Sequence, residues 1–280
     1  MKPERTHARR ASERGYSLVE VMVAITLSVF LLLGLFTILR QTRNANSATT
    51  GLSQLQDDER IAMTIMTDTI EAAGYVPEAN GSGQSQFVAD AVFATQGQII
   101  VAGTAGASVG ERLTMRYVLG LNDLTLKCDG TANSGAEQVY KEIFQITTNA
   151  AGVNQLVCIP SNGSAAVPLV NNVANLTFQF AVNRTAASST TASNAVGPNT
   201  LSSATGYGCP ADTWMTTANM LTNDWANVCA VKIDIVFVNP IYQPASQSHP
   251  TPGQKQYITF ERVIAIQSKT GVNVTNSTQT

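Results

Sequence analysis

The sequence predicts an α+β protein: a long amino-terminal helix, membrane-spanning in its first half, packed on a head of mainly antiparallel β-sheet. Three observations predict it. From Leu18 to Leu39 a run of 22 residues carries one charge, Glu20. Apolar residues then recur at helical spacing between Leu52 and Ala73. Beyond Pro77 they alternate one by one, as in half-buried strands.

Composition narrows the function classes. At 280 residues the chain is long enough to bury a core. Its 13 % of charged residues falls below the roughly 25 % of an ordinary soluble domain, which points outside the cytoplasm. A formal charge of −2 offers no basic footprint, so no nucleic-acid partner is expected. Two His, and four Cys without a C-x-x-C pair, give no metal-ligand spacing, and neither metal nor cofactor is expected.

Residues 1–15 carry five basic side chains (Lys2, Arg5, Arg9, Arg10, Arg14) against Glu4 and Glu13. The apolar run that follows is roughly 33 Å long as a helix, enough to cross a bilayer. The basic leader keeps the amino terminus cytoplasmic and exports residues 40–280. A secretory signal peptide would have a shorter apolar region and a small-x-small cleavage site, and LRQTRNANSATT supplies none. A plain signal anchor gives no reason for a carboxylate near the start of the apolar run. A buried soluble helix does not explain the basic leader.

The segment Arg14-Gly15-Tyr16-Ser17-Leu18-Val19-Glu20 resembles the prepilin-type processing site of type IV pilins and type II secretion pseudopilins. The resemblance implies a type IV pilin-like fold. It also implies cleavage by a prepilin peptidase between Gly15 and Tyr16, N-methylation of Tyr16, and Glu20 as the fifth residue of the mature chain. Tyr16 stands where Phe is commonest in the family; both are aromatic. Glycine suits the cut because backbone without a Cβ can approach a protease closely. Glu20 costs on the order of 2.5–3.5 kcal/mol within the membrane interior. The resemblance implies that, in a filament, it pairs with the free amine of a neighbouring subunit's first residue, which selects axial register.

After RQTRNANSATTG the helix-face residues Leu52, Leu55, Ala62, Ile65, Met66, Ile70 and Ala73 predict an outer helix half packed on its own domain. Gly74 is the expected stop, with Pro77 beyond it, and Gly34 and Gly51 are its weak points. The expected organisation is a leader at 1–15, a helix at 16–75 with its transmembrane segment at about 18–39, and an exported head at 76–280. In the head, strands are expected at Leu113–Leu119, around Ile143–Ile146, at Leu176–Val182, at Val231–Phe237 and at Ile258–Ile266. Asn122-Asp123 followed by Leu124-Thr125-Leu126-Lys127 predicts a hairpin. The connection 239–256 carries four prolines and is long for a hairpin loop. Residues 184–206, rich in Ser, Thr and Ala, read as a flexible surface segment.

Cys128, Cys158, Cys209 and Cys229 all follow the membrane segment, where an oxidising compartment favours disulfides. Four cysteines allow three pairings, and spacing does not choose among them. Sequential pairing closes loops of a few dozen residues and is slightly preferred. The string Gly106-Ala107-Ser108-Val109-Gly110 matches G-x-S-x-G, but a strand pattern follows it where a nucleophile elbow needs a helix. His249, the one histidine beyond the leader, sits in the Pro-rich connection. No catalysis is expected.

The helix ending, Asp57-Asp58-Glu59-Arg60 through Ala73-Gly74-Tyr75, is similar to that of PilW-type minor pilins, as are Trp225–Val238 and the last strand with Arg262. Such proteins often carry a cysteine soon after Ala-Gly-Tyr. Here Val76-Pro77 follows, so no disulfide pattern is carried over. The resemblance implies a minor pilin that helps start filament assembly and sits at or near the tip. Its partners would be other minor pilins, the major pilin and the prepilin peptidase. It would reside in the inner membrane with a periplasmic head, and later on the cell surface. A minor, J-like pseudopilin of a type II secretion system shares the leader, helix and β-rich head, and is the second reading.

Overall fold

The computed structural model describes residues 16–77, 87–104, 109–121, 123, 125–160, 165–184, 209, 211, 213–242 and 254–270. The expected flexible segment 184–206 lies outside these residues except for Arg184, as does much of the Pro-rich connection. One helix, α1 (Leu18–Glu71), runs unbroken through Gly34 and Gly51. The chain divides after Gly51 into two compact units, and each is taken alone.

In the second unit the end of α1 buries Leu55, Ala62, Met63, Met66 and Ile70, which join the main core. Two antiparallel sheets follow. The first has the order β1 (Ile100–Thr104), β2 (Glu111–Leu119), β3 (Gln138–Thr148), β4 (Asn154–Pro160), β5 (Val167–Asn171), a meander of sequential neighbours. The second has β7 (Thr213–Thr216), β6 (Val173–Val182), β8 (Val228–Val238) and β9 (Tyr257–Ala265) side by side in that order. A one-turn helix, α2 (Gln267–Thr270), ends the described chain. The protein is thus α+β as expected, but with two sheets where one was anticipated.

The switch between sheets falls at one residue. Asn172 separates β5 from β6 with φ 60°, the one positive φ at a non-glycine among the described residues. Asn tolerates this left-handed conformation better than most residues, and its carbonyl accepts the Val238 N–H at 2.9 Å. The expected hairpin at 122–127 is a correction. Thr125–Lys127 form no strand, and β2 pairs instead with β1 and β3. The chain there enters a turn closed by the Lys127 N–H on the Thr131 carbonyl at 3.0 Å, which puts Cys128 at the turn.

β8 buries Val231, Ile233, Ile235 and Phe237 while Lys232 and Asp234 take the opposite face, as the alternation predicts. Trp225 lies in a 3-10 turn (Asp224–Asn227) just before β8 and meets Phe180 edge-on at 4.9 Å. The sheets are tied by more than apolar contact: Glu111 Oε2 accepts the Phe178 N–H at 2.7 Å.

The end of α1 is spliced into β2. After Ala73 the chain turns at Gly74 (φ 75°). The Gly74 N–H donates to the Arg116 carbonyl at 2.9 Å, and the Val118 N–H donates to the Tyr75 carbonyl at 2.8 Å. α2 closes over the turn, with Ser268 Oγ donating to the Ala73 carbonyl at 2.6 Å and Gln267 Nε2 to Glu71 at 2.7 Å. A Cβ at Gly74 would meet Ser268 Oγ at 2.5 Å and Ile99 Cδ1 at 2.8 Å. Gly74→Ala therefore combines backbone strain with overpacking, and is expected to destabilise the head by about 2–3 kcal/mol in chemical unfolding. Stability unchanged from wild type would show that α2 and Ile99 give way freely.

Candidate functional site

Within the first unit the described residues from Leu18 onward are helix, and their side chains explain what it can do. Leu18 through Leu39 are exposed, with Phe30 at 77 % and Leu18 at 76 %. The length and apolarity suffice to cross a membrane. Buried in lipid, each polar group must find its partner within the helix. Thr26 Oγ1 donates to the Val23 carbonyl at 2.9 Å, Ser28 Oγ to Ala24 at 2.7 Å, and Thr37 Oγ1 to Gly34 at 2.7 Å. Those three hydroxyls are thereby satisfied locally. Glu20, in the first turn, is the remaining polar side chain of the run, and an ionised carboxylate cannot donate to a carbonyl. Its need for an outside partner is a property of the sequence and the helix together. Tyr16 precedes the helix at 81 % exposure, and Gly15 lies outside the described residues.

In the head the cysteines are joined sequentially, Cys128 to Cys158 and Cys209 to Cys229, with Cα separations of 6.2 and 5.6 Å. The first bridge links the turn after β2 to β4. The second links the chain before β7 to β8. Ser108 lies outside the described residues, and β2 rather than a helix starts right after Gly110.

Two buried charges in the first sheet escaped the sequence reading. Arg116 on β2 is 1 % exposed. Its Nε donates to the Gln98 carbonyl at 2.7 Å, Nη1 to Val88 at 2.6 Å, and Nη2 to Phe87 at 3.2 Å. The guanidinium also lies 4.2 Å from the Phe93 ring centre and 3.4 Å from Asp90. Burial lowers its pKa to about 10, so it stays charged near neutrality. Glu142 on β3 is fully buried on the face shared with Met115 and Tyr117. Its Oε1 accepts the Cys128 N–H at 3.0 Å, and neither Oε2 nor the facing Tyr117 hydroxyl reaches a partner at ordinary geometry.

Burial raises the Glu142 pKa to about 7, against the Cys128 N–H and Tyr117 hydroxyl, which favour the carboxylate. Tyr117 is pushed up too, by burial first and then by the charge of Glu142. An acid whose folded pKa is raised contributes stability that is whole below its unfolded pKa, here about 4.5, and lost as pH rises through about 7. Glu142→Gln removes that loss. The variant is expected to gain on the order of 3 kcal/mol relative to wild type between pH 4.5 and 8. Unfolding both proteins across that range checks it, and a constant difference would contradict the assigned cost.

Comparison with known proteins places these features. Residues 143–271, from within β3 through α2, match the family model described as type IV pilus-assembly protein W. Residues 10–36 match the prokaryotic N-terminal methylation motif, and that stretch contains Gly15, Tyr16 and Glu20. The helix ending at 57–75 lies outside both matches. Among solved structures, a type IV-like pilin from Thermus thermophilus aligns over 78 % of this chain and 98 % of its own, at 12 % identity and a TM-score of 0.39. Among curated proteins, none matches the chain closely enough to count as a relative. A methylation motif on an apolar helix and a match to the PilW model over residues 143–271 support a PilW-type type IV minor pilin.

Proposed function

We propose that the protein enters a type IV pilus as a low-copy subunit that helps start filament assembly and remains at or near the tip. The observation that supports this most is Glu20, the one polar side chain of the apolar run that its own helix leaves without a partner. A filament packed through such helices supplies that partner as the α-amine of a neighbouring first residue. A head following residue 75 is bulky for a densely packed fibre, which favours a place where no further subunit stacks above it.

In this reading a prepilin peptidase removes residues 1–15 by cutting between Gly15 and Tyr16, and Tyr16 is N-methylated. The subunit waits in the inner membrane, leader cytoplasmic and head periplasmic, as the basic residues before Leu18 direct. Other minor pilins and the major pilin are its assembly partners. Gly15→Val places a β-branched side chain at the cut and is expected to leave full-length precursor in the membrane. Mass spectrometry of the amino terminus checks this; a normally shortened, methylated product would refute the assigned site.

The function itself is tested by shearing surface pili from a strain lacking this gene. Loss of pili, restored by complementation, is the expected result. Unchanged pili would overturn the role in starting assembly and direct attention to secreted enzymes and the pseudopilin reading.

A further inference from the structure

Cys128 Sγ, Cys158 Sγ and a carboxylate oxygen of Glu142 lie within 4.8 Å of one another, and all three residues are buried. The topology makes this meeting. Cys158 on β4 pairs with Phe144 on β3, and Glu142 pairs with Pro160, so Glu142 and Cys158 are diagonal neighbours on one face. The turn after β2 brings Cys128 over them, and its N–H fixes Glu142 Oε1. The second oxygen, Oε2, is buried and has no hydrogen-bond partner among the described residues. An acidic side chain in a core is costly unless it is paired or used; the groups within reach of Glu142 are the Tyr117 hydroxyl, which favours the carboxylate, and the disulfide.

We propose that Glu142 is the general base that closes the Cys128–Cys158 disulfide, and the acid that assists its opening. The exported chain begins with two thiols. Cys128, at the turn and 5 % exposed, is the less buried of the two and is the one an external disulfide meets when the turn opens; Cys158 is fully buried. The Cys128 thiol loses its proton to water and the thiolate attacks that external disulfide; the Cys128–oxidant bond forms, the oxidant's S–S bond breaks, and the released oxidant thiolate takes up that proton. Glu142 then takes the proton of the Cys158 thiol, and the Cys158 thiolate attacks Cys128 Sγ. The Sγ–Sγ bond forms, the bond from Cys128 to the oxidant breaks, and the second oxidant sulfur leaves as a thiolate that takes up the proton. Two protein thiols are oxidised and one external disulfide is reduced to two thiols. A thiol of ordinary pKa near 8.5 is mostly protonated at neutral pH, and a carboxylate within 4.8 Å of both sulfurs is placed to lower that barrier, directly or through one water.

The charged and titratable groups around Glu142 are Tyr117 from β2, Tyr140 from β3, and Lys127 and Asp129 from the turn. Lys127 favours its ionisation and Asp129 opposes it. This leaves Glu142 to titrate near neutrality, below the range of a thiol. The inference does not depend on the pilus role, since it concerns maturation of the head.

The test uses the full chain in detergent, reduced, freed of reductant and reoxidised with oxidised glutathione. Alkylation quenches the time course, and mass spectrometry follows each disulfide separately. Cys209–Cys229, on the other sheet, is the internal reference. Expected for wild type is a second step, from the Cys128–glutathione mixed disulfide to Cys128–Cys158, whose rate rises with pH and levels above about 7. Glu142→Gln is expected to slow closure at pH 7 by on the order of tenfold or more and to move the rise toward the thiol range, with Cys209–Cys229 unaffected. Equal rates and equal pH profiles in the two proteins would overturn the proposal. Should the variant fail to fold, the wild-type profile decides alone: a rise that tracks only thiol ionisation, without levelling near 7, overturns it as well.

Discussion

Glu20→Ala is expected to leave membrane insertion intact and to cut the amount of protein recovered in sheared filaments at least tenfold. Insertion should not suffer, because the substitution removes the one costly group from an apolar run whose hydroxyls are already satisfied by their own helix. Incorporation should suffer because, in the proposed role, the carboxylate distinguishes one axial register from the next. An apolar helix sliding along other apolar helices meets similar packing at many offsets. A carboxylate meeting an α-amine in a dry bundle does so at one offset, and leaving either charge unpaired there costs about 3–5 kcal/mol. That range exceeds the 1.4 kcal/mol that corresponds to a factor of ten in an equilibrium. Quantitative immunoblots of membrane and filament fractions read both numbers at once. Normal incorporation would show that register is set elsewhere, and a fall in the membrane fraction would show a defect in insertion instead.

What the sequence displays plainly is one-dimensional periodicity. The outer helix face read from spacings of three and four includes Leu55, Ala62, Met66, Ile70 and Ala73, all of which are buried. Alternation likewise locates β6 and β8 and their inward faces. Periodicity says which face of a strand is covered, though not which strand lies beside it. The two sheets therefore stayed invisible, because the chain passes between them at Asn172 without the Gly or Pro that would advertise a break. The misplaced hairpin has the same origin: Leu124-Thr125-Leu126-Lys127 alternates well enough, but β3 offers β2 a longer partner.

The buried charges were hidden for a different reason. On a strand a lone Arg or Glu reads as solvent-facing, and what puts Arg116 and Glu142 inside is chain far away in sequence. Residues 87–98 fold over Arg116, and the Cys128 turn folds over Glu142. One signal was available in retrospect: Arg116 stands between Met115 and Tyr117 in a strand with seven consecutive buried residues. At the amino terminus the reverse holds. The roles proposed for Tyr16 and Glu20 can be read from sequence alone, because they depend on position along a single helix rather than on the packing of a core.

Arg116→Met is expected to destabilise the head strongly, by about 3–5 kcal/mol. Methionine fills much of the same space beside Phe87 and Phe93, so the loss is polar rather than volumetric. The carbonyls of Val88 and Gln98 lose the Arg116 donor, and that of Phe87 keeps only the Gly97 N–H at 2.8 Å. Each buried acceptor left bare costs about 1–3 kcal/mol, somewhat offset by relaxation. Asp90 keeps Lys141 at 2.8 Å and the Val92 and Phe93 N–H groups, so its carboxylate is not stranded. Burial works against that carboxylate, but Lys141 and those two N–H groups prevail and hold its pKa down to about 2. Arg116→Lys retains charge but replaces a three-pronged donor with a point, and should fall between wild type and Met. Urea unfolding of the full chain with both disulfides intact measures the series. A loss under 1 kcal/mol for Met would mean that Phe87 and Phe93 hold residues 87–98 by packing alone. The expected larger loss would also reach the end of α1: the Arg116 carbonyl accepts the Gly74 N–H, so loosening this residue loosens the strand on which the helix stop is built.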